Sequence, residues 1–276
     1  INKCSYRGPD NNAIYYENII TLGHNLLSIT DSPNQGKQPW KTPRGNILIY
    51  NGEIFNYYEL LKKFKNFYPK TSCDTELLAW GLDELGIKFL DYIDSMHAFA
   101  YWKKDERKLF LSRDHAGIKP LFYHFDGNIL AFGSEVKGLL NRSYQTRIID
   151  NLAFACWSYC GLNVTENSFF KGIKKVLPGE TISYDCTTKK ILVIKRDIVL
   201  GGKNNKFCPE EFRNKFDDTI KNSLIGTRKI GIFLSGGLDS MMIAHHAKKY
   251  LEQNSFSNQI YPCPIDPYEN ENFNSD

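Results

Sequence analysis

No run of about 18 consecutive apolar residues occurs in the chain, and Ile1 to Asp10 lack the charged-then-apolar order of a signal peptide. Neither a membrane-spanning helix nor an export signal is expected; a soluble cytoplasmic protein is. Charge of one sign is also scarce. The formal net charge is +4, and the lysines are scattered instead of gathered into a basic stripe, which argues against nucleic acid as a partner. The seven cysteines are odd in number, irregularly spaced and without a paired Cys-x-x-Cys unit, so no disulfide framework or structural zinc site is expected. Idle or buried thiols are the remaining reading.

What the chain does hold is the composition of a globular protein: 276 residues, 42% hydrophobic and 24% charged, enough for one large domain or two medium ones. It starts at Ile1 and finishes at Asp276 in a polar string, so processing or truncation is expected.

Short β-rich runs dominate the first two hundred residues: Asn46–Tyr50, Ala98–Trp102, Lys108–Ser112, Leu121–Phe125 and Ile129–Phe132. Two helices interrupt them. Leu60, Leu61, Phe64 and Phe67 share a face over Tyr57 to Phe67, and Leu77, Leu78, Leu82 and Leu85 share one over Asp74 to Leu85, with Gly86 as the stop. Antiparallel sheets with helices packed outside them predict an α+β layered domain. The glycine-rich polar stretch Gly201 to Lys206 marks a linker, dividing the chain into domains 1–206 and 207–276. Beyond it the pattern changes to a helix from Pro209 with Phe212, Phe216, Ile220 and Leu224 in step, ending at Gly226. A strand Ile230–Leu234, a glycine turn and a helix from about Leu238 to Leu251 follow. Ile260–Ile265 is a candidate second strand, weakened by its two prolines. This is the start of a parallel α/β unit, and it is too small to cover both faces of its sheet, so the second domain is expected to be unfinished.

The sharpest local motif is Phe233-Leu-Ser-Gly-Gly-Leu-Asp-Ser240, placed where a strand hands over to a helix. Gly236 and Gly237 let backbone amides approach an anion, Ser235 and Ser240 add hydroxyl donors, and the helix N-terminus supplies a matching dipole. Asp239 would repel bare phosphate; a carboxylate there fits a Mg²⁺ ion bridging to pyrophosphate. No Gly-Lys-Ser/Thr follows, so it is not a Walker loop. A plain helix-capping turn is the competing reading. The octapeptide resembles the pyrophosphate loop of the ATP pyrophosphatases, and the resemblance implies ATP binding by Leu234, Ser235, Gly236, Gly237, Asp239, Ser240 and Cys263.

The first two hundred residues carry an ordered string of short motifs. They include Arg7-Gly-Pro-Asp10, Leu27-Ser-Ile29, Gln38-Pro39, Asn51-Gly-Glu-Ile-Phe-Asn56, Cys73-Asp-Thr-Glu76, Arg113-Asp114, Gly117-Ile-Lys-Pro-Leu121, Gly133-Ser-Glu135 and Pro178-Gly-Glu180. In this order they resemble the class II glutamine amidotransferases. With the pyrophosphate loop they resemble the asparagine synthetase branch, across essentially the whole chain. The resemblance implies an N-terminal-nucleophile αββα fold and amidation of aspartate through β-aspartyl-AMP. Ammonia would come from glutamine, with ATP and Mg²⁺ as cofactors; glutamine, aspartate and ATP would be the small-molecule partners, and a homodimer is a compatible assembly.

Residue by residue, the resemblance places Asn51 and Gly52 as donors to the tetrahedral oxyanion, where one donor is typically worth ~3 to 4 kcal/mol. It places Glu53 and Asp74 against the glutamine ammonium, with Leu26, Ser28 and Ile29 beside them. From the residues alone, Asn51-Gly52 could equally be a hairpin turn and Asp74 a helix N-cap. Arg113 and Asp114 read as a structural salt-bridged pair.

Two departures qualify the resemblance. The family's catalyst is a cysteine at the mature N-terminus; Cys4 does not match it, so no catalytic nucleophile is expected in the chain. Leu26 stands where the family has an arginine that grips the substrate carboxylate. Losing that contact predicts about ten- to a hundredfold weaker glutamine binding, unless a cation such as Lys37 substitutes. Two alternatives therefore stay open: an ammonia-dependent amide- or lactam-forming synthetase with an impaired glutaminase, and a noncatalytic module.

Overall fold

The structure, a computed structural model, describes residues 1–29, 35–140, 147–196, 206–226, 229–253 and 260–264. The linker residues 201–205, together with Thr30, Asp31 and Ile265, lie outside the described residues. The chain divides into two compact units, Ile1–Leu200 and Gly201–Asp276.

In the first unit, a hairpin of β1 (Asn11–Glu17) and β2 (Ile20–Leu26) is followed by β3 (Trp40–Lys41), β4 (Ile47–Ile54), α1 (Tyr57–Lys63) and α2 (Asp74–Leu85). Then come β5 (Ser95–Lys103), β6 (Lys108–Arg113), β7 (Phe122–Phe125), β8 (Leu130–Gly133), α3 (Val136–Leu139), α4 (Asn151–Cys160), β9 (Ile173–Lys175), β10 (Glu180–Asp185) and β11 (Lys190–Lys195). Six strands form one antiparallel sheet in the order β11-β10-β6-β5-β4-β3; β8-β7-β9 form a second, and β1-β2 a third.

Strand β4 shows why this becomes a layered α+β fold. Its first four residues are all buried, because alternate side chains enter two different cores. Leu48 and Tyr50 point to the helix side, where they meet Leu77, Leu78 and Leu82 of α2 and Leu60 of α1. Ile47 and Ile49 point the other way, toward Leu22, Leu121 and Val176. A third, smaller core of Ala131, Leu139 and Ile173 seats α3 on the β8-β7-β9 sheet. A strand covered on both faces loses the apolar–polar alternation of a half-exposed one.

Helix α2 has the bounds expected from its leucine spacing, ending at Gly86 with φ of +61°. Helix α1 is shorter than its apolar pattern, stopping at Lys63. Phe64, at φ −99° and ψ 73°, leaves the helix, yet Phe64 and Phe67 still reach the same core, with ring centroids 5.3 and 5.1 Å from Trp80. The periodicity outlasts the helix because a turn returns the chain to the same face.

The Asn51-Gly52 hairpin alternative is overturned. Both residues sit inside β4, paired with Ala98 and His97 of β5, and the strand continues to Ile54. The salt bridge expected between Arg113 and Asp114 is also corrected. Arg113 donates to the carbonyls of Lys119, Val176 and Gly117 at 2.7, 2.9 and 2.6 Å. Asp114 accepts the amides of His97, Ala116, Ile118 and Lys119 at 2.9 to 3.2 Å. Each serves the backbone around it, because a buried loop must satisfy its own peptide groups.

The second unit contains α5 (Pro209–Ser223), β12 (Ile230–Leu234), α6 (Leu238–Gln253) and β13 (Ile260–Pro264). Strands β12 and β13 pair in parallel, Ile230 opposite Ile260 and Leu234 opposite Pro264. Pro262 and Pro264 are two apart, so their missing amides fall on one edge of β13 and the strand survives them.

Candidate functional site

A cavity of about 570 Å³ opens in the first unit between the end of β2, the middle of β4, the start of α2 and strand β8. All seven residues expected to surround glutamine line it: Leu26, Ser28, Ile29, Asn51, Gly52, Glu53 and Asp74. Lys37, offered above as a substitute cation, is exposed, and the lining takes in Gly36 and Gln38 on either side of it instead.

Gly52 is required by close approach. A Cβ there would lie 2.2 Å from the Met96 carbonyl oxygen and 2.6 Å from the Tyr50 ring. This contact holds the centre of β4 tight against β5, with Asn51 and Glu53 on either side. The Asn51 side chain has no hydrogen-bond partner among the described residues and reaches the cavity wall.

Asp74 is not the cap of α2. Cys73 occupies the cap position, and Asp74 is the first helical residue. Its Oδ2 instead accepts the Tyr50 hydroxyl and the Ile54 amide, both at 3.0 Å. Burial raises its pKa from 3.8 to about 6, against the pull of those donors. Glu53 is 8% exposed, and its Oε1 is buried without a partner among the described residues. Burial, then the neighbouring Asp74 charge, pushes its pKa up to about 7. A buried carboxylate oxygen without a donor is costly, and Glu53 is one of the residues that line the cavity.

Several wall residues were quoted in motifs without being given a role. Gln38 ties the wall together: its Oε1 accepts the Tyr50 amide at 2.6 Å, and its Nε2 donates to Thr75 Oγ1 at 3.3 Å. His24 Nε2 lies 3.0 Å from the Tyr50 carbonyl, and burial lowers its pKa to about 4, so it is neutral and donates to that oxygen. Tyr50 thus serves His24, Gln38 and Asp74 at once. In the sequence, Gln38 is marked by the proline that follows it, and His24 by no signal of its own. Cys4 and Cys73 also line the cavity.

In the second unit the glycine turn is exposed at the C-terminal end of β12. Ser240 Oγ accepts the Ser235 amide at 3.3 Å and donates to the Gly237 carbonyl at 3.0 Å, which closes the loop on itself. Gly236 has φ of +77°, and among the described residues a Cβ there would meet nothing within 4 Å. Asp239 lies in the first turn of α6, unpaired among the described residues. Leu234 ends β12, and Cys263 lies opposite Phe233 on β13. No group of three or more His, Cys, Asp or Glu side chains that could hold a metal converges among the described residues.

Among the described residues no helix is long and apolar enough to cross a membrane.

Comparisons with known proteins agree in both units. The glutamine amidotransferase domain model matches residues 1–193, and the asparagine synthase model matches residues 211–270. Asparagine synthetase [glutamine-hydrolyzing] 2 of Bacillus subtilis is 32% identical over 92% of this chain and 37% of its own length. Asparagine synthetase [glutamine-hydrolyzing] 3 of the same organism is 30% identical over 98% and 45%, and asparagine synthetase B of Escherichia coli 31% over 89% and 40%. The chain thus spans less than half the length of these three relatives. A solved glutamine phosphoribosylpyrophosphate amidotransferase from B. subtilis overlays with a TM-score of 0.43 at 16% identity, over 90% of this chain and 52% of that one, a likeness that bears on neither chemistry nor substrate. The match to a family model over residues 1–193 has the plain consequence that this chain belongs to the glutamine amidotransferase domain family.

Proposed function

We propose that residues 1–206 form a glutaminase domain and residues 207–276 open an ATP-dependent synthetase domain, in a protein that makes asparagine from aspartate with nitrogen drawn from glutamine. The observation that carries this reading is the Glu53 carboxylate oxygen, buried and unpartnered beside Asp74 in the cavity wall. Two carboxylates in a half-closed site attract an ammonium, and the ammonium of glutamine would lie there with its side-chain amide toward Asn51 and Gly52. The Asn51 side chain and the Gly52 amide would then donate to the oxygen that becomes negative when the amide carbon is attacked. Leu26, Ser28 and Ile29 complete the lining beside them.

In the second unit, the amides and hydroxyls from Ser235 to Ser240 would hold the diphosphate of ATP, with Leu234 and Cys263 at the flanking strand ends. The space left at Gly236 among the described residues and the position of the turn before α6 fit an anion. Asp239 fits a Mg²⁺ shared with phosphate oxygens, and the ion would neutralise charge on the departing pyrophosphate. Adenylation turns the aspartate carboxylate into an acyl donor that ammonia can attack.

The buried Leu26 favours a second reading, in which the glutaminase is impaired and free ammonia feeds an amide- or lactam-forming synthetase. Two measurements test the first reading. Glutamine should bind the chain in calorimetric titration, and Glu53→Gln should weaken binding about tenfold or more, since a charged hydrogen bond is lost. In the protein that carries this chain, Asp239→Asn should abolish aspartate-dependent release of pyrophosphate from ATP; undiminished release would count against the synthetase half.

A further inference from the structure

The charges lining the cavity do not balance for an amino acid held at position 26. Glu53 and Asp74 can take an ammonium, but Leu26 is apolar and only 7% exposed, so it offers nothing to a carboxylate. Three basic residues line the cavity: Arg7, His24 and Lys119. His24 is neutral and committed to the Tyr50 carbonyl. Arg7 is ion-paired with Glu135 at 3.1 Å.

Among the described residues that line the cavity, Lys119 is the basic side chain left over. Its backbone is fixed from both sides: Asp114 Oδ2 accepts its amide at 3.0 Å, and Arg113 Nε donates to its carbonyl at 2.7 Å. Its ammonium has no hydrogen bond or ion pair among the described residues. Burial holds its pKa below the ordinary lysine range, although the nearby Glu53 charge pulls the other way. Desolvating a cation without a partner costs free energy, and an anion entering the cavity would recover it. The Glu53 and Asp74 carboxylates and the Lys119 ammonium thus line one cavity with opposite charges, the pattern that recognises a zwitterion.

We propose that Lys119 receives the α-carboxylate of glutamine in this chain, and so replaces the cation that position 26 lacks. This rests on reading the cavity as a glutamine site. A lysine is a compact charge on a flexible stem and cannot form the planar fork of an arginine, so carboxylate recognition here depends on charge more than on geometry.

The test compares glutamine with 4-aminobutanamide, which keeps the ammonium and the amide but lacks the carboxylate, by titration of the whole chain. Lys119→Gln should weaken glutamine about ten- to a hundredfold and leave 4-aminobutanamide within about twofold. Lys119→Arg should retain glutamine binding, which separates loss of charge from loss of folding. Adding Leu26→Arg to Lys119→Gln should restore glutamine binding, because a cation returns to the cavity lining. Equal glutamine affinity in the unmodified chain and Lys119→Gln overturns the proposal alone. A proportional loss of both ligands in Lys119→Gln also overturns it, since the residue would then act on the whole site. If the unmodified chain binds neither ligand, the glutamine reading itself falls, and this proposal falls with it.

Discussion

Tyr50 and Asp74 are joined by one hydrogen bond of 3.0 Å, and the carboxylate oxygen that accepts it also takes the Ile54 amide at the same distance. One residue of the sheet and the first residue of α2 are thereby locked together at the back of the cavity. The link is buried, so this carboxylate oxygen is held by protein donors in place of water.

Removing the phenol should therefore be felt in stability. Tyr50→Phe keeps the ring in the core and deletes only the donor, at an expected cost of about 1 to 3 kcal/mol. The sign with pH follows from the charge state. The hydroxyl stabilises the ionised carboxylate, whose pKa is already raised by burial to about 6. Without it the pKa rises further, so the deficit of the variant should be small at pH 4 and larger at pH 8. Denaturant midpoints at the two pH values measure this; equal midpoints for both proteins throughout would rule out the coupling.

Glu53 makes a second pH-dependent prediction. Its pKa moves from 4.5 to about 7 on folding, through burial first and the Asp74 charge second. The folded state therefore binds the proton more tightly than the unfolded chain does, and the stability gained is full below pH 4.5 and lost as pH rises through 7. Glu53→Gln should melt at a higher temperature than the unmodified chain at pH 8, with the gap closing at pH 4. Ligand binding should run the opposite way, because an ammonium prefers the ionised carboxylate. Glutamine affinity in the unmodified chain should rise between pH 5.5 and 8 by roughly thirtyfold, the change in ionised fraction of one group with a pKa of about 7. Thermal melts and titrations at matched pH values give both slopes, and a flat affinity profile would remove Glu53 from the ammonium site.

Much of this architecture is legible in the sequence, and the exceptions have physical causes. The leucines of α2 repeat at helical spacing and end at a glycine, so its limits follow directly. The β1–β2 hairpin leaves little signal in the sequence: Asn18 and Ile19 at its turn carry no glycine, and its strands mix polar and apolar residues loosely. Helix α4 is apolar on nearly every side, with Leu152, Phe154 and Trp157 about half exposed or more, so no stripe distinguishes a buried face. The Asn51-Gly52 dipeptide misleads for a different reason. Locally it favours a turn, but the steric fit of Gly52 against β5 overrides that preference, and only the pairing of strands distant in sequence reveals it. The placement of Lys119 in the cavity is likewise a product of tertiary packing: it lies 66 positions after Glu53 in the chain, and nothing in local spacing joins the two.

Gly52 gives the third prediction. Its φ is not in the left-handed region, so alanine is not excluded by backbone conformation. The obstacle is space: the added methyl would sit 2.2 Å from the Met96 carbonyl oxygen, 2.6 Å from the Tyr50 ring and 2.9 Å from the His97 Cα. Two of these three neighbours are backbone, so relief requires β4 and β5 to separate instead of one side chain to rotate. Overpacking of this kind costs about 1 to 3 kcal/mol, and the separation would displace Asn51 and Glu53 together. Gly36→Ala is the control in the same cavity lining, since among the described residues its methyl would meet only the Cys73 sulfur, at 3.4 Å. Gly52→Ala should lower the unfolding midpoint and lose glutamine binding, whereas Gly36→Ala should stay within about 0.5 kcal/mol of the unmodified chain. Should Gly52→Ala keep both stability and glutamine affinity, the tight contact between β4 and β5 could not be what positions Asn51 and Glu53.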